Sequence, residues 1–272
     1  MKSSLTGFSL LFVLSISLLM SCRSEFELIR TSNDPEVMLK EANKLYKNGE
    51  NYKAITLYEQ LVPVYRGQDE AEEIAFNFAS AHYNQKQYIS ASHYFKQFSN
   101  TFANSDKKEE ADFMSAFSNT RMSPTHKLDQ SFSEKGIEAL QMFVNNYPES
   151  PRVNQCNELI DELRGKMERK AYESAKLYYK LKNYSSSVVA FENMLKDYPE
   201  TQREEEIRYL VAKSSFQLAQ NSVYLKKEER YLTTVEKCNL FLKKFPEADK
   251  KAEISTFVTK SNKEINKFNN NG

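Results

Sequence analysis

Five aromatic residues stand in the same local setting along this chain, and that recurrence limits its fold more than any other feature. Tyr65, Phe102, Tyr147, Tyr198 and Phe245 each have a small residue eleven positions earlier: Ala54, Ala91, Gly136, Ser187 and Thr234. Seven positions earlier stand Tyr58, Phe95, Leu140, Phe191 and Cys238, mostly large. Small and large side chains four apart are neighbours on one helical face. Twelve positions before three of the small residues stands another: Ala42 before Ala54, Ala79 before Ala91, and Ala175 before Ser187. The pattern describes two helices that turn back on each other and meet through small side chains. A hairpin of this kind cannot bury its apolar face alone and must stack on the next.

With 6 Gly and 7 Pro in 272 residues, the chain is short of the residues that tight turns need, which argues against a β-sandwich, a barrel or a glycine-looped nucleotide fold. The hairpin pattern is similar to the tetratricopeptide (TPR) repeat. The aromatics are spaced 37, 45, 51 and 47 residues apart, so all but the first interval exceed the ideal repeat by a wide margin. The expected fold is all-α, a superhelical array of about five TPR-like helix-turn-helix repeats with a C-terminal capping helix. Helices are expected at 35–48, 52–65, 69–86, 88–102, 105–120, 132–147, 151–182, 184–198, 202–225 and 229–245, with the cap at 247–268. Asp34-Pro35 and Ser150-Pro151 are helix-start signals, Asp69 with Glu72 and Thr201 with Glu204 have capping-box spacing, and Gly49 marks a turn. Residues 119–130 lack helical periodicity and read as an inserted loop, functional or mobile.

Lys and Arg number 38 against 37 Asp and Glu, without the cationic excess that nucleic-acid binding requires. The three histidines, His82, His93 and His126, have no metal-ligand spacing, and no nucleophile-elbow or phosphate-loop motif occurs. Acidic clusters at 70–73, 107–110 and 204–206 open helices, where carboxylates complement the dipole. Neither catalysis nor a metal or other cofactor is expected. Cys156 and Cys238 fall in apolar helical phases and read as core thiols, although the sequence leaves a disulfide open.

At the N-terminus, Lys2 precedes an apolar run from Phe8 to Met20, too short to span a bilayer and of signal-peptide size. The run ends in Leu19-Met20-Ser21-Cys22, which resembles the lipobox of bacterial lipoproteins. That resemblance implies a signal peptide at 1–21, acylation of Cys22 and a tether over 22–34, and Arg23 after the cysteine fits sorting to the outer membrane.

The partner surface of such an array is expected on its concave face, where Tyr46, Phe78, Tyr83 and Asn84 on the first helices of repeats one and two are candidate groove residues and equally candidate core residues, the two faces lying about a quarter turn apart. Met122-Ser123-Pro124 with Leu128-Asp129-Gln130, Asn146-Tyr147-Pro148-Glu149-Ser150, Leu163-Arg164 through Lys170-Ala171-Tyr172, Ala175 with Tyr178-Tyr179, and residues 193–201 resemble the BamD family, TPR lipoproteins of the outer-membrane β-barrel assembly (BAM) machinery. The resemblance implies a non-enzymatic scaffold held by Cys22 on the outer membrane and facing the periplasm. Its N-terminal repeats, 35–148, would receive unfolded outer-membrane proteins, and its C-terminal repeats, 149–268, would bind the periplasmic domains of BamA beside other BAM subunits. On that basis Lys170, Tyr172, Tyr178, Tyr179 and the helix from Tyr184 to Tyr198 are candidate BamA contacts. Ala190 stands where the family leads one to expect a basic side chain. The alternatives are another lipid-anchored TPR adaptor, such as a glycan-uptake component, and a periplasmic enzyme on a helical scaffold, such as a lytic transglycosylase.

Overall fold

Asp34 opens the first long helix as its sequence announces. Its carboxylate accepts from the backbone N–H groups of Glu36 (3.1 Å) and Val37 (3.2 Å), and Pro35 takes the first turn. In the computed structural model, which describes residues 25–270, every regular element is helical. They are α1 (Glu25–Arg30), α2 (Pro35–Lys47), α3 (Asn51–Val64), α4 (Ala71–Asn84), α5 (Tyr88–Thr101), α6 (Lys108–Arg121), α7 (Ser131–Asn146), α8 (Val153–Lys180), α9 (Tyr184–Asp197), α10 (Glu204–Gln220), α11 (Tyr224–Lys244) and α12 (Lys251–Asn270). Residues 1–24, which include the expected signal peptide and Cys22, lie outside the described residues.

The chain forms two compact units. Among the described residues, one comprises 25–123 with 135–157, and the other 124–134 with 158–270. In the first unit α2 pairs with α3 and α4 with α5, and each hairpin stacks on the next. Its core joins Leu57, Tyr58, Leu61 and Ile74 in one cluster and Phe95 and Phe98 in another. In the second unit α9, α10, α11 and α12 pack in sequence around Phe191, Ile207, Phe216 and Phe241.

The residues of the repeat pattern occupy the predicted places. Tyr58, Phe95, Leu140, Phe191 and Cys238 are all fully buried, as are Ala42, Ala54, Ala79, Ala91, Ala175, Ser187 and Thr234 at the helix contacts. Each large apolar side chain so enclosed contributes about 1.5–3 kcal/mol, and the small partner is what lets the backbones approach. Cys156 and Cys238 are free and buried, and burial pushes the Cys238 thiol up to about 12.

Three of the hairpin turns share one geometry. The residue at positive φ is Gly49 (79°) in the first, but Lys86 (59°) and Lys182 (59°) in the others. In each, two backbone bonds close the preceding helix, as in Glu50 N–H to Leu45 O (2.9 Å) with Gly49 N–H to Tyr46 O (3.0 Å).

Four expectations need correction. Residues 25–30, expected within an extended tether, form α1, because Phe26 and Ile29 share a face and pack on the first core cluster. The break expected at 226–228 lies at 221–223. There the Asn221 and Ser222 side chains donate to the carbonyls of Gln217 and Leu218, ending α10, and Val223 is extended. Neither capping box forms. α4 begins after Glu70 without a side-chain cap, and Thr201 caps the turn ahead of α10 by accepting from Arg203 N–H (3.2 Å). The insertion expected at 119–130 begins only after Arg121, since 119–121 complete α6, and it is fastened: Gln130 is buried, and its amide donates to the carbonyls of Thr125 (2.9 Å) and Leu128 (3.0 Å) while accepting from Ser133 (2.8 Å).

Candidate functional site

An apolar concavity in the first unit follows from the spacing on α5. Tyr94, Phe98 and Phe102 stand four apart, so their rings run down one face of that helix and its C-cap. On α4 the residues opposite are the small Ala71 and Ala75, with Phe78 one turn further on. Val62 and Glu59 on α3 and the Arg66-Gly67 turn complete a groove of about 640 Å³. Gly67 adopts φ +82°, which carries the chain around the rim.

The floor is rigid. Phe78 and Tyr94 lie 4.5 Å apart between centroids, Phe98 and Phe102 5.1 Å, and Phe76 supports Phe98 from behind at 5.3 Å. Behind Tyr94 the His82 ring stacks at 5.0 Å and bonds through Nδ1 to the Gln87 side-chain oxygen. Its Nε2 is buried with no partner, and burial lowers its pKa, outweighing the Gln87 hydrogen bond that raises it. The neutral ring therefore acts as packing. The rim carries Glu59, Arg66, Gln97 and Thr101, and Arg66 makes no ion pair among the described residues. A site of this kind takes apolar or aromatic side chains into its floor, while the rim offers donors and acceptors to a peptide backbone.

Of the four groove residues expected from sequence, the structure brings only Phe78 to this site. Tyr46 is half-buried and edge-on to Tyr58 at 6.4 Å. Tyr83 is held between Tyr88 (5.5 Å) and Phe117 (6.1 Å), and burial raises its pKa. Asn84 is exposed at the end of α4 and donates to Asn51 (3.3 Å). Sequence reasoning misses Tyr94, Phe98, Phe102 and Arg66. The four-residue spacing on α5 is legible, but an expectation that lines the groove with the first helix of each hairpin passes over it.

In the second unit, the Lys170 ammonium donates to the Leu128 carbonyl (2.9 Å), holding the insertion on α8. Tyr172 is buried. Its hydroxyl donates to Glu206 on α10 and accepts from Lys176 (3.1 Å), and the Arg203 guanidinium covers its ring at 4.7 Å. The same arrangement recurs one hairpin later, where the Tyr209 hydroxyl donates to Glu253 (3.0 Å) and accepts from Lys213 (2.7 Å). Tyr172 is thus committed to joining α8 to α10. Tyr179 is half-buried beside Tyr184 (5.7 Å), and Tyr178 is exposed. Among the described residues no group of acidic, His and Cys side chains could hold a metal ion, and no helix is long and apolar enough to cross a membrane.

Among solved structures, the chain is similar to the TPR2AB domain of yeast Sti1 in its pHSP90 complex. Identity is 15% and the TM-score 0.38, over 84% of this chain and 98% of that one. It is also similar to the nearly identical TPR-like repeats of a Podospora anserina putative kinesin light chain, at 14% identity and TM-score 0.32, over 79% of this chain and all of that one. These scores carry no weight for the fold, which rests on the helix pairing itself. No curated protein sequence matches. One protein-family match covers most of the chain: residues 31–215 fit the family YfiO, described as outer membrane lipoprotein, and the chain belongs to that family.

Proposed function

We propose that this protein is a lipid-anchored scaffold subunit of the outer-membrane β-barrel assembly machinery, which binds BamA and unfolded outer-membrane proteins rather than catalysing a reaction. The observation that carries this reading is membership of an outer membrane lipoprotein family in a chain whose first unit holds an aromatic groove between helix hairpins. Cys22 would carry the acyl chains, after removal of residues 1–21, and hold the molecule on the periplasmic side of the outer membrane. Strands of membrane barrels alternate apolar and polar residues and are rich in aromatics near their ends. Such a strand suits the groove, its apolar side chains entering the floor between Phe78 and Phe98 and its backbone facing Arg66 and Gln97.

On this reading residues 35–148 form the substrate side and 149–268 the BamA side. Tyr178, Tyr179 and the exposed face of α9 are the contacts open to BamA, with Lys170 and Tyr172 holding that surface in shape. Depletion tests the assignment. Folded barrels of the outer membrane should fall broadly, and BamA should co-purify with this chain from detergent-solubilised membranes. Normal barrel levels after full depletion, or co-purification of a glycan-uptake transporter without BamA, would overturn it.

A further inference from the structure

The second unit has one end that is both apolar and cationic. Ser187 Oγ lies 3.4 Å from the Ala175 carbonyl and 3.2 Å from Ser214 Oγ, which sets α8, α9 and α10 level at these positions. From that level α8 runs on to Lys180, α9 runs back to Tyr184 and α10 runs on to Gln220. The turns at 181–183 and 221–223 therefore emerge at the same end. Phe268, near the close of α12, meets Tyr224 there at 5.0 Å.

These turns carry large apolar side chains into solvent. Leu181 and Val223 are exposed, with Leu177 one turn before the first, and Leu225 is 93% exposed. Interleaved with them are Lys180, Lys182, Lys226 and Lys227, none of which pairs with a carboxylate among the described residues. The acids at this end lie further along: Glu228 and Glu229 on α11, and Glu264, which pairs with Lys267 (2.6 Å). At the opposite end of the same unit the exposed acids Glu200, Glu205, Glu247 and Asp249 are mixed with exposed Arg203, Lys243, Lys244, Lys250 and Lys251.

We infer that this end of the second unit is a membrane-contact surface, whose leucine-bearing turns enter the headgroup region of a bilayer while the lysines engage anionic lipid headgroups. Protein interfaces are depleted in Lys, whereas tyrosines and long cationic side chains beside apolar tips suit the boundary between headgroups and acyl chains. Isolated tips on separate turns sink into a soft surface more readily than they pack on a rigid one. The turns at the opposite end, 198–203 and 245–250, carry none of the exposed large apolar side chains, which fixes the orientation. This contact would be separate from any acyl anchor near the N-terminus, and it requires neither BamA nor a substrate.

The chain has no tryptophan, so one introduced at an exposed tip reports alone. Leu225→Trp should not disturb packing, given the exposure of that site. The full chain carrying it is purified from membranes and mixed with vesicles of phosphatidylethanolamine and phosphatidylglycerol. Its emission should shift to the blue and be quenched about twofold or more by lipids brominated in their acyl chains. A Glu205→Trp variant should stay unquenched. Adding Lys180→Gln, Lys226→Gln and Lys227→Gln to the Leu225→Trp chain should abolish most of the quenching, as should omitting phosphatidylglycerol. Equal emission and quenching in the Leu225→Trp and Glu205→Trp chains would overturn the inference. So would protection of the Leu225→Trp indole that arises only when other envelope proteins are added, which would make this end a protein interface.

Discussion

The Ser105 hydroxyl donates to the Glu72 carboxylate at 2.7 Å, joining the turn ahead of α6 to the first turn of α4. It simultaneously accepts from the Lys107 backbone N–H (3.0 Å). Ser105 stands three residues after the closing aromatic Phe102, whose carbonyl receives its N–H. The same device recurs after Tyr147, where Ser150 donates to Glu109 (2.6 Å), and after Tyr198, where Thr201 donates to Glu168 (2.6 Å). A hydroxyl three residues past the aromatic thus couples a turn to the first helix of the preceding hairpin.

Removing that hydroxyl should loosen the stacking of hairpins without unfolding them. Ser105→Ala and Thr201→Val should each lower stability by about 0.5–1.5 kcal/mol, the net worth of a partly exposed hydrogen bond. Urea denaturation checks the value, and an unchanged midpoint for both would contradict the coupling role.

Lys86 occupies a left-handed position at φ 59° that Gly49 fills in the first hairpin. A side chain there costs roughly 1 kcal/mol relative to glycine. Lys86→Gly should therefore raise the melting temperature, and Gly49→Ala should lower it by a similar increment.

His82 is held neutral by burial, so its effect on stability has a definite sign. Well above pH 6.5, its ordinary value, both folded and unfolded chains are neutral at this ring and it contributes nothing. As pH falls below 6.5 the unfolded chain takes up a proton that the folded chain resists, and stability declines until the folded ring protonates as well. His82→Phe should flatten this decline between about pH 7 and pH 5.5. A slope identical to that of the unaltered chain would show that the ring is not held neutral.

Phe95 and Ala91 test the large and small halves of the repeat pattern, since both are fully buried. Phe95→Ala should cost about 3–5 kcal/mol by leaving a cavity. Ala91→Leu should cost about 1–3 kcal/mol by forcing α4 and α5 apart. If Ala91→Leu were neutral under chemical denaturation, the close approach of these helices would not depend on small residues.

If the aromatic groove receives a substrate strand as proposed, crosslinking will locate it. A photo-crosslinking residue at Gln97 or Thr101, both exposed on the rim, should capture unfolded barrel proteins in cells. One at the exposed Tyr52 on α3, outside the groove, should not. Equal capture at all three positions would remove the groove as the binding site.

The sequence alone determined the helices and the residues that join them. A small side chain four positions from a large one, repeated at each closing aromatic, is a local pattern, and a helix of fixed pitch turns it into a contact face whatever surrounds it. That is why Ala54, Tyr58, Ala91 and Phe95 are legible as core. Tertiary structure decided what lies between hairpins. The Ser105–Glu72 and Tyr172–Glu206 bonds span 33 and 34 residues and leave no mark in any one helix. Tyr172 is a candidate partner contact through the family resemblance alone, and its bond to Glu206 on α10 cannot be read from the sequence of α8. The groove is likewise a property of three elements at once: Ala71 and Ala75 are ordinary helix residues until the rings of α5 are placed opposite them. Pitch is a local property of the backbone, whereas a concavity exists only where separate elements fail to fill the space between them.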